Sequence, residues 1–282
     1  MTALEGPPRS GATAGDAGAG AGRRRSTPRF LLVTEYYATL FRHFWRGSIV
    51  TILISPILYL LAMGLGVGSL IDGNAGTTLA GTPYLHYVAP GLMAAAAMQT
   101  AVNGSLFPVL ASVKWLRTAH GVMATPIRPI DLALGMQTWL VIQMLVAATV
   151  FVAIMAVAGA IGSLWVLVAP PAAALGGLAY STGLSAWAIG RDSEASFPLI
   201  FRLGVLPSFL LSGTFFPIEQ LPDPLRALAS VSPLWHAVEL VRGATTASGG
   251  QRAAAFHLAV LVAYVGVGLW LAARAYDKRL HQ

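Results

Sequence analysis

The sequence predicts an all-α integral membrane protein with six transmembrane helices, and three observations carry that prediction. Of 282 residues, 56% are hydrophobic and only 10% charged, where a soluble domain carries roughly 25%. The apolar residues gather into six long runs, most at or above the roughly 20 residues that cross a bilayer. Lys and Arg sit at the ends of those runs rather than in one patch, which is the pattern of membrane topology and argues against nucleic acid as the partner for the net charge of +7. Cysteine is absent, which excludes disulfides, thiolate metal sites and cysteine nucleophiles.

Residues 1–26 are mostly Gly, Ala, Ser, Pro and Arg with almost no large apolar side chain. They cannot bury enough surface to offset their ordering entropy, so a disordered cytoplasmic tail is expected. Arg23, Arg24 and Arg25 either rest on anionic headgroups or simply solubilise it. No apolar run precedes residue 47, so no cleaved signal peptide is expected. Thr27 and Pro28 read as a helix start, a hydroxyl cap followed by proline at the first position. Over 27–46, Phe30, Val33, Tyr37, Leu40, Phe41 and Phe44 share an arc of roughly 100°, opposite Glu35, Thr39, Arg42 and Arg46. That division predicts an amphipathic helix lying in the membrane interface; the alternative is a soluble surface helix.

The spans fall near 48–70, 86–113, 132–160, 164–189, 201–216 and 253–273, the fifth starting closer to Phe197. Pro56, Pro90, Pro108 and Pro207 lie inside them, where neighbouring helices can satisfy the freed carbonyls. With the N-terminus inside, eleven Lys and Arg residues flank the cytoplasmic ends, from Arg29, Arg42 and Arg46 through Lys114, Arg117, Arg128, Arg191 and Arg202 to Arg274, Lys278 and Arg279. Three face outward: Arg226, Arg242 and Arg252. This bias puts both termini in the cytoplasm. Trp45, Trp165, Trp187 and Trp270 lie near span ends, as an aromatic belt would place them. Between the last two spans, 219–243 is too broken by proline to cross and too apolar for an ordinary loop. Asp223 before Pro224, and Ser232 before Pro233 with Gly243 closing, predict two short capped helices, hence a re-entrant hairpin on the outer side.

Neither lysine, Lys114 or Lys278, follows a glycine, so the Gly-Lys-Ser/Thr core of a phosphate-binding loop is missing and the chain carries no P-loop ATPase. Gly64, Gly66 and Gly68 end an apolar span with no strand before them, and read as close helix packing. The span centres lack Asp, Glu, Lys and Arg. An ion-coupled carrier would keep such groups despite an insertion cost of about 2.5–3.5 kcal/mol each, so the energy source is expected outside the spans. Asp192 and Glu194 sit at a cytoplasmic edge, and His257 near an outer one. Ser185, in Gly183-Leu184-Ser185-Ala186, and His257 loosely resemble the Ser–His dyad of rhomboid intramembrane proteases, but Ala186 replaces the motif's glycine and no Gly closely follows His257. His236 and Glu239 share a helix face with Arg242 and are too few to hold a metal. The cytoplasmic loop 112–131 is basic and amphipathic, suited to anchoring on headgroups or to docking a soluble partner.

The run Ser212-Gly213-Thr214-Phe215-Phe216-Pro217, then Leu221-Pro222, then Pro233-Leu234-Trp235-His236 with Arg242 following, resembles the signature of the ABC-2 transporter permeases, as does Thr125-Pro126-Ile127 with Asp131 to Gly135. The likeness covers about 28–280 and is strongest to nodulation-type lipooligosaccharide exporters, with daunorubicin-resistance permeases as a second branch. The resemblance implies a permease in the bacterial cytoplasmic membrane without its own ATPase. Two permease copies, identical or not, would pair with two ATPase subunits that bind ATP and Mg; no cofactor is expected in this chain. It implies that Lys114, Trp115, Arg117, His120, Thr125 and Pro126 belong to a coupling helix seated on the ATPase, and that Pro233, His236, Glu239 and Arg242 belong to an outer gate. It further implies a path for an amphipathic substrate, a glycolipid or a hydrophobic drug-like molecule, along spans two and five. Gln99, Asn103, Ser208 and Ser212 are the polar groups on offer there; they either line the path or join helices to one another.

Overall fold

The computed structural model describes residues 28–68, 83–246 and 251–280, and among them every regular element is helical. Thr27, the tail 1–26 and the end of the first span lie outside the described residues. Helix α1 (Arg29–Leu61) runs into a π-helical turn at Ala62–Val67. Pro28 precedes its first residue rather than opening the helix, and no side chain caps it. The helix does not break at Gly47: the amphipathic stretch and the first apolar run form one rod of 33 residues, about 50 Å long. Part of its apolar face packs on protein. Val33 is buried, Thr34 Oγ1 donates to the Gly135 carbonyl at 3.1 Å, and Phe41 meets Trp139 edge-on. Leu32, Tyr36 and Leu40 stay exposed.

The second span is two helices, α2 (Tyr84–Ser105) and α3 (Phe107–Lys114), broken at Leu106. Pro108 explains the break: it has no N–H to donate and its ring crowds the carbonyl four residues earlier, that of Gly104. Pro90 interrupts nothing. A short helix α4 (Thr118–Met123) follows, then α5 (Pro129–Val157), whose Asp131 accepts from the Arg128 backbone N–H. A 3₁₀ turn at Leu164–Val168 leads into α6 (Ala169–Ala188). Helix α7 (Phe197–Leu211) contains a π turn at Phe201–Val205. It begins where Phe197 predicts but ends five residues before the expected Phe216, because Gly213 takes a left-handed φ of 75° and Pro217 follows. Its 15 residues span about 22 Å, short of a full hydrocarbon core.

Helices α8 (Asp223–Val231) and α9 (Pro233–Thr246) make the expected pair of short elements, with two corrections. Gly243 does not end α9, since its φ is not positive and the helix continues to Thr246. Neither Asp223 nor Ser232 is seen to cap: α8 has no side-chain cap, and the Ser232 hydroxyl meets Tyr180 Oη at 3.2 Å instead. Helix α10 (Gln251–Leu280) closes the described chain and extends past both predicted ends.

Helix α6 is the hub, packed on α2, α5, α9 and α10. Small residues permit this. A Cβ on Gly177 would fall 2.9 Å from the Ala97 carbonyl oxygen and collide with Met144, and one on Gly176 would collide with Ala237. Gly268 of α10 likewise abuts Thr182. In lipid there is no hydrophobic drive between helices, so close approach and hydrogen bonds must hold them together. Gln137 supplies the polar link: Nε2 donates to Ser185 Oγ at 2.9 Å while Ser181 Oγ donates to Oε1 at 2.6 Å. Among the described residues α5, the Leu164–Ala188 segment and α10 are long and apolar enough to cross a membrane.

Candidate functional site

Three places gather the residues singled out in the sequence. At one end of the bundle, α9 holds the loop after α7. Arg242 donates from Nη2 to the Gly213 carbonyl at 2.7 Å and from Nη1 to Glu239 Oε1, and its guanidinium lies 4.1 Å over the Tyr87 ring. Tyr87 Oη donates to the same carbonyl at 3.1 Å. The positive φ of Gly213 turns that carbonyl toward both donors, so glycine is required there. Ser212 and Thr214 are buried beside it, their hydroxyls 2.8 Å apart, and Thr214 lies under Gly91, where a Cβ would fall 2.8 Å from its Cα. The expected Glu239–Arg242 pair is formed; Tyr87 and the Gly213 carbonyl complete it without any signal in spacing.

His236 is not part of that pair. Its Nε2 sits 3.0 Å from the Ser230 carbonyl and its Nδ1 2.8 Å from His257 Nδ1, packed by Trp235 and Phe256. Because a carbonyl can only accept, His236 donates from Nε2, and its Nδ1 accepts from His257. Pro233 is half-buried at the start of α9. Among the described residues no group of three or more His, Asp or Glu is placed for a metal ion.

Between α1, α2, α5 and α7 lies a cleft of about 660 Å³. Its wall is apolar, with Leu92, Met93, Phe151 and Phe209, and carries Gln99 and Asn103, whose side chains hydrogen-bond at 3.4 Å. Ser208 and Ser212 do not line it. Ser208 interacts with the Tyr180 hydroxyl, and Ser212 Oγ donates to the Phe209 carbonyl at 3.0 Å. Arg202, placed by the sequence on a cytoplasmic flank, is on the cleft wall.

At the opposite end, Lys114, Trp115, Arg117, His120, Thr125 and Pro126 are all exposed. Arg117 takes a left-handed φ of 51°, which turns the chain from α3 into α4. Trp115 is 57% and Leu116 70% exposed, an apolar tip with no cover. Behind it, Lys114 Nζ and Arg279 Nη2 meet Asp192 Oδ1 at 2.8 and 2.7 Å. Hydrogen bonds from those two cations hold the Asp192 carboxyl down to about 2. This clamp ties α3 to the α6–α7 loop and to the end of α10. Lys114, Arg117, His120 and Arg279 also line a basic hollow of about 500 Å³.

The protease dyad is not assembled. Ser185 Oγ is held by Gln137 and donates to the Thr182 carbonyl at 3.1 Å, while the His257 ring faces His236. Thr182 abuts Gly268, and His257 lies eleven residues before Gly268 on the same helix, about 16 Å away.

Comparison with known proteins follows the same lines. The ABC-2 type transporter family matches residues 36–246. Nodulation protein J of Bradyrhizobium diazoefficiens is 30% identical over 241 residues, 84% of this chain and 89% of that protein. Nodulation protein J of Sinorhizobium fredii is 29% identical over 237 residues, covering 83% and 87%, and that of Azorhizobium caulinodans 26% identical over 241 residues, covering 84% and 92%.

Proposed function

The chain belongs to the ABC-2 type transporter family, and from that premise we propose that it is the permease subunit of an ATP-driven exporter in the bacterial inner membrane. It moves an amphipathic molecule outward, and its nodulation-type relatives favour a lipooligosaccharide or related glycolipid over a drug-like compound. In this reading six spans cross the membrane with both termini inside, α8 and α9 form the re-entrant outer hairpin, and two permease copies face each other. Two ATPase subunits supply ATP and Mg chemistry from the cytoplasm. They grip the tip formed by Trp115, Leu116, Arg117 and His120, in keeping with the dominance of aromatic and Arg anchors at interfaces.

The observation that carries the proposal is the cleft: an apolar wall with two neutral amides, Gln99 and Asn103, on one face. Such a surface solvates a long apolar body while offering hydrogen bonds to sugar hydroxyls or amides. Closure of the ATPases pushes α4. The Asp192 clamp passes that displacement to the root of α7, which walls the cleft and leads into the Gly213 loop held by Arg242. Release of that loop opens the outer exit.

Two experiments test this. Trp115→Ala with Arg117→Ala should weaken co-purification of the partner ATPase while membrane insertion stays normal; unchanged co-purification and ATPase stimulation would sink the docking assignment. Asn103→Leu should slow export of the glycolipid that accumulates on deletion, measured by profiling inner and outer fractions. Export at the wild-type rate in a normally inserted variant removes the cleft from the path.

A further inference from the structure

The two walls of the cleft have a fixed register. Phe107 of α3 and Phe197 of α7 stack edge-to-face with centroids 4.8 Å apart, which sets those residues at one level. Asn103 precedes Phe107 by four residues and Arg202 follows Phe197 by five, in chains running opposite ways. At 1.5 Å per residue both stand about 6–8 Å above the stacked rings, level with each other and on the cleft wall. Gln99 and Thr100 come next, and Leu92, Met93 and Phe209 lie further out. The cleft is therefore graded, cationic and amide-bearing at its cytoplasmic end and apolar beyond.

Among the described residues Arg202 is the only charged side chain on that wall, and it is exposed, with no ion pair, hydrogen bond or ring contact to any of them. A guanidinium more than a turn inside a span is costly and is kept for a counter-charge. Asn103 adds a second group at the same height: its carbonyl oxygen accepts from Gln99, which leaves its amide hydrogens to donate.

We propose that the cleft takes an amphiphile with a single anionic head group, a phosphate, sulfate or carboxylate held by Arg202 and the Asn103 amide, its apolar chain lying along Met93, Leu92 and Phe209. The inference rests on the reading of the cleft as the substrate path and narrows the cargo class. One cation matches one anionic group, and a guanidinium fits an oxyanion in bidentate fashion. A head with several separate anionic groups would find no further partner on this wall.

The test is native mass spectrometry of the purified full chain in detergent, titrated with dodecyl phosphate or with dodecyl glucoside, which has the same tail and a neutral head. Wild-type protein should retain the phosphate about tenfold more strongly, as expected for one charge-assisted contact. Arg202→Gln should abolish that preference while keeping the glucoside, and Arg202→Lys should keep most of it. A preference that survives Arg202→Gln, or is absent from the wild type, overturns the proposal. Ala96→Leu or Ala147→Leu, each filling the apolar wall, should weaken both ligands; if both variants retain both ligands fully, the cleft is not the binding site and the path reading falls first. Phosphatidylglycerol competing through Arg202 would make the anion a bilayer lipid's, and failure to compete would make it a cargo's; either result keeps the anionic amphiphile. Competition by inorganic phosphate as effective as that by dodecyl phosphate overturns it, since the tail would then contribute nothing.

Discussion

Replacing Arg242 by Met should unfasten the loop after α7 while leaving the helices in place. Arg242 contributes a charge-assisted hydrogen bond to the Gly213 carbonyl at 2.7 Å, a partner for Glu239 and a guanidinium 4.1 Å over Tyr87. A hydrogen bond to a charged group contributes about 1.5–3 kcal/mol, and a cation–π contact about 0.5–2 kcal/mol. The Glu239 side chain is 33% exposed, so losing its partner adds little. The Gly213 carbonyl keeps Tyr87 as a donor, which tempers the loss. The loop should become easier to open by about 2–3 kcal/mol, roughly 30- to 150-fold in population. The absence of native cysteine gives a clean assay. Thr214, fully buried in that loop, is replaced by Cys, and its labelling by a membrane-impermeant maleimide is timed with and without Arg242→Met. Where opening limits access, the rate follows the open population. Equal labelling rates in the two backgrounds would refute the claim that Arg242 fastens the loop.

Gly177→Leu should lower the melting temperature sharply in detergent, because overpacking costs about 1–3 kcal/mol or more and, besides the Met144 side chain, the Ala97 backbone oxygen stands 2.9 Å from the added Cβ; Gly183→Ala, with nothing within 4 Å, should not. Ser185→Ala should leave export running and cost about 1–2 kcal/mol of stability by unpairing one N–H of the Gln137 amide, whose Nε2 keeps the Ser181 carbonyl as an acceptor; abolition of a proteolytic activity would revive the enzyme reading. Asp192→Asn should lower the melting temperature at pH 7. The Asp192 carboxyl is depressed from its ordinary value near 4 to about 2, so its stabilisation is present above pH 4 and is lost as the pH falls toward 2. The wild type and Asp192→Asn should therefore converge in that window, and a gap that persists below pH 2 would show that the carboxylate's charge is not what matters.

The helices were legible where one physical rule acts alone. Continuous apolar runs located α5, the Leu164–Ala188 segment and α10, because in hydrocarbon every backbone group must be satisfied within its own helix. Prolines marked the short helices α8 and α9. Errors came where a residue type has two uses. Gly243 reads as a helix stop, yet α9 carries helical geometry through it. Gly213 reads as one glycine among many, yet its left-handed φ ends α7 and turns a carbonyl toward Arg242. Ser232 reads as a cap, and its hydroxyl is taken by Tyr180 across the bundle. Local pattern cannot distinguish these uses, because the deciding partner sits some 29 to 52 residues away in the chain.

The same logic separates the parts of the candidate site. Glu239 and Arg242 were found as a pair because helical spacing brings positions three apart together. Tyr87 could not be, since it reaches Gly213 across 126 residues. Gln99 and Asn103 lie four apart on one helix, so their shared face is written in the sequence; that the face meets a void rather than another helix depends on how Phe107 and Phe197 set α2 and α3 against α7. Arg202 is the sharpest case. Counted with the positive residues expected near a cytoplasmic end, it looks like a topology signal alone. Only the fold shows that this residue stands on the cleft wall, opposite Asn103. In a chain so poor in charge, a topology signal and a ligand contact would call for the same residue type, so the sequence alone could not tell one use from the other.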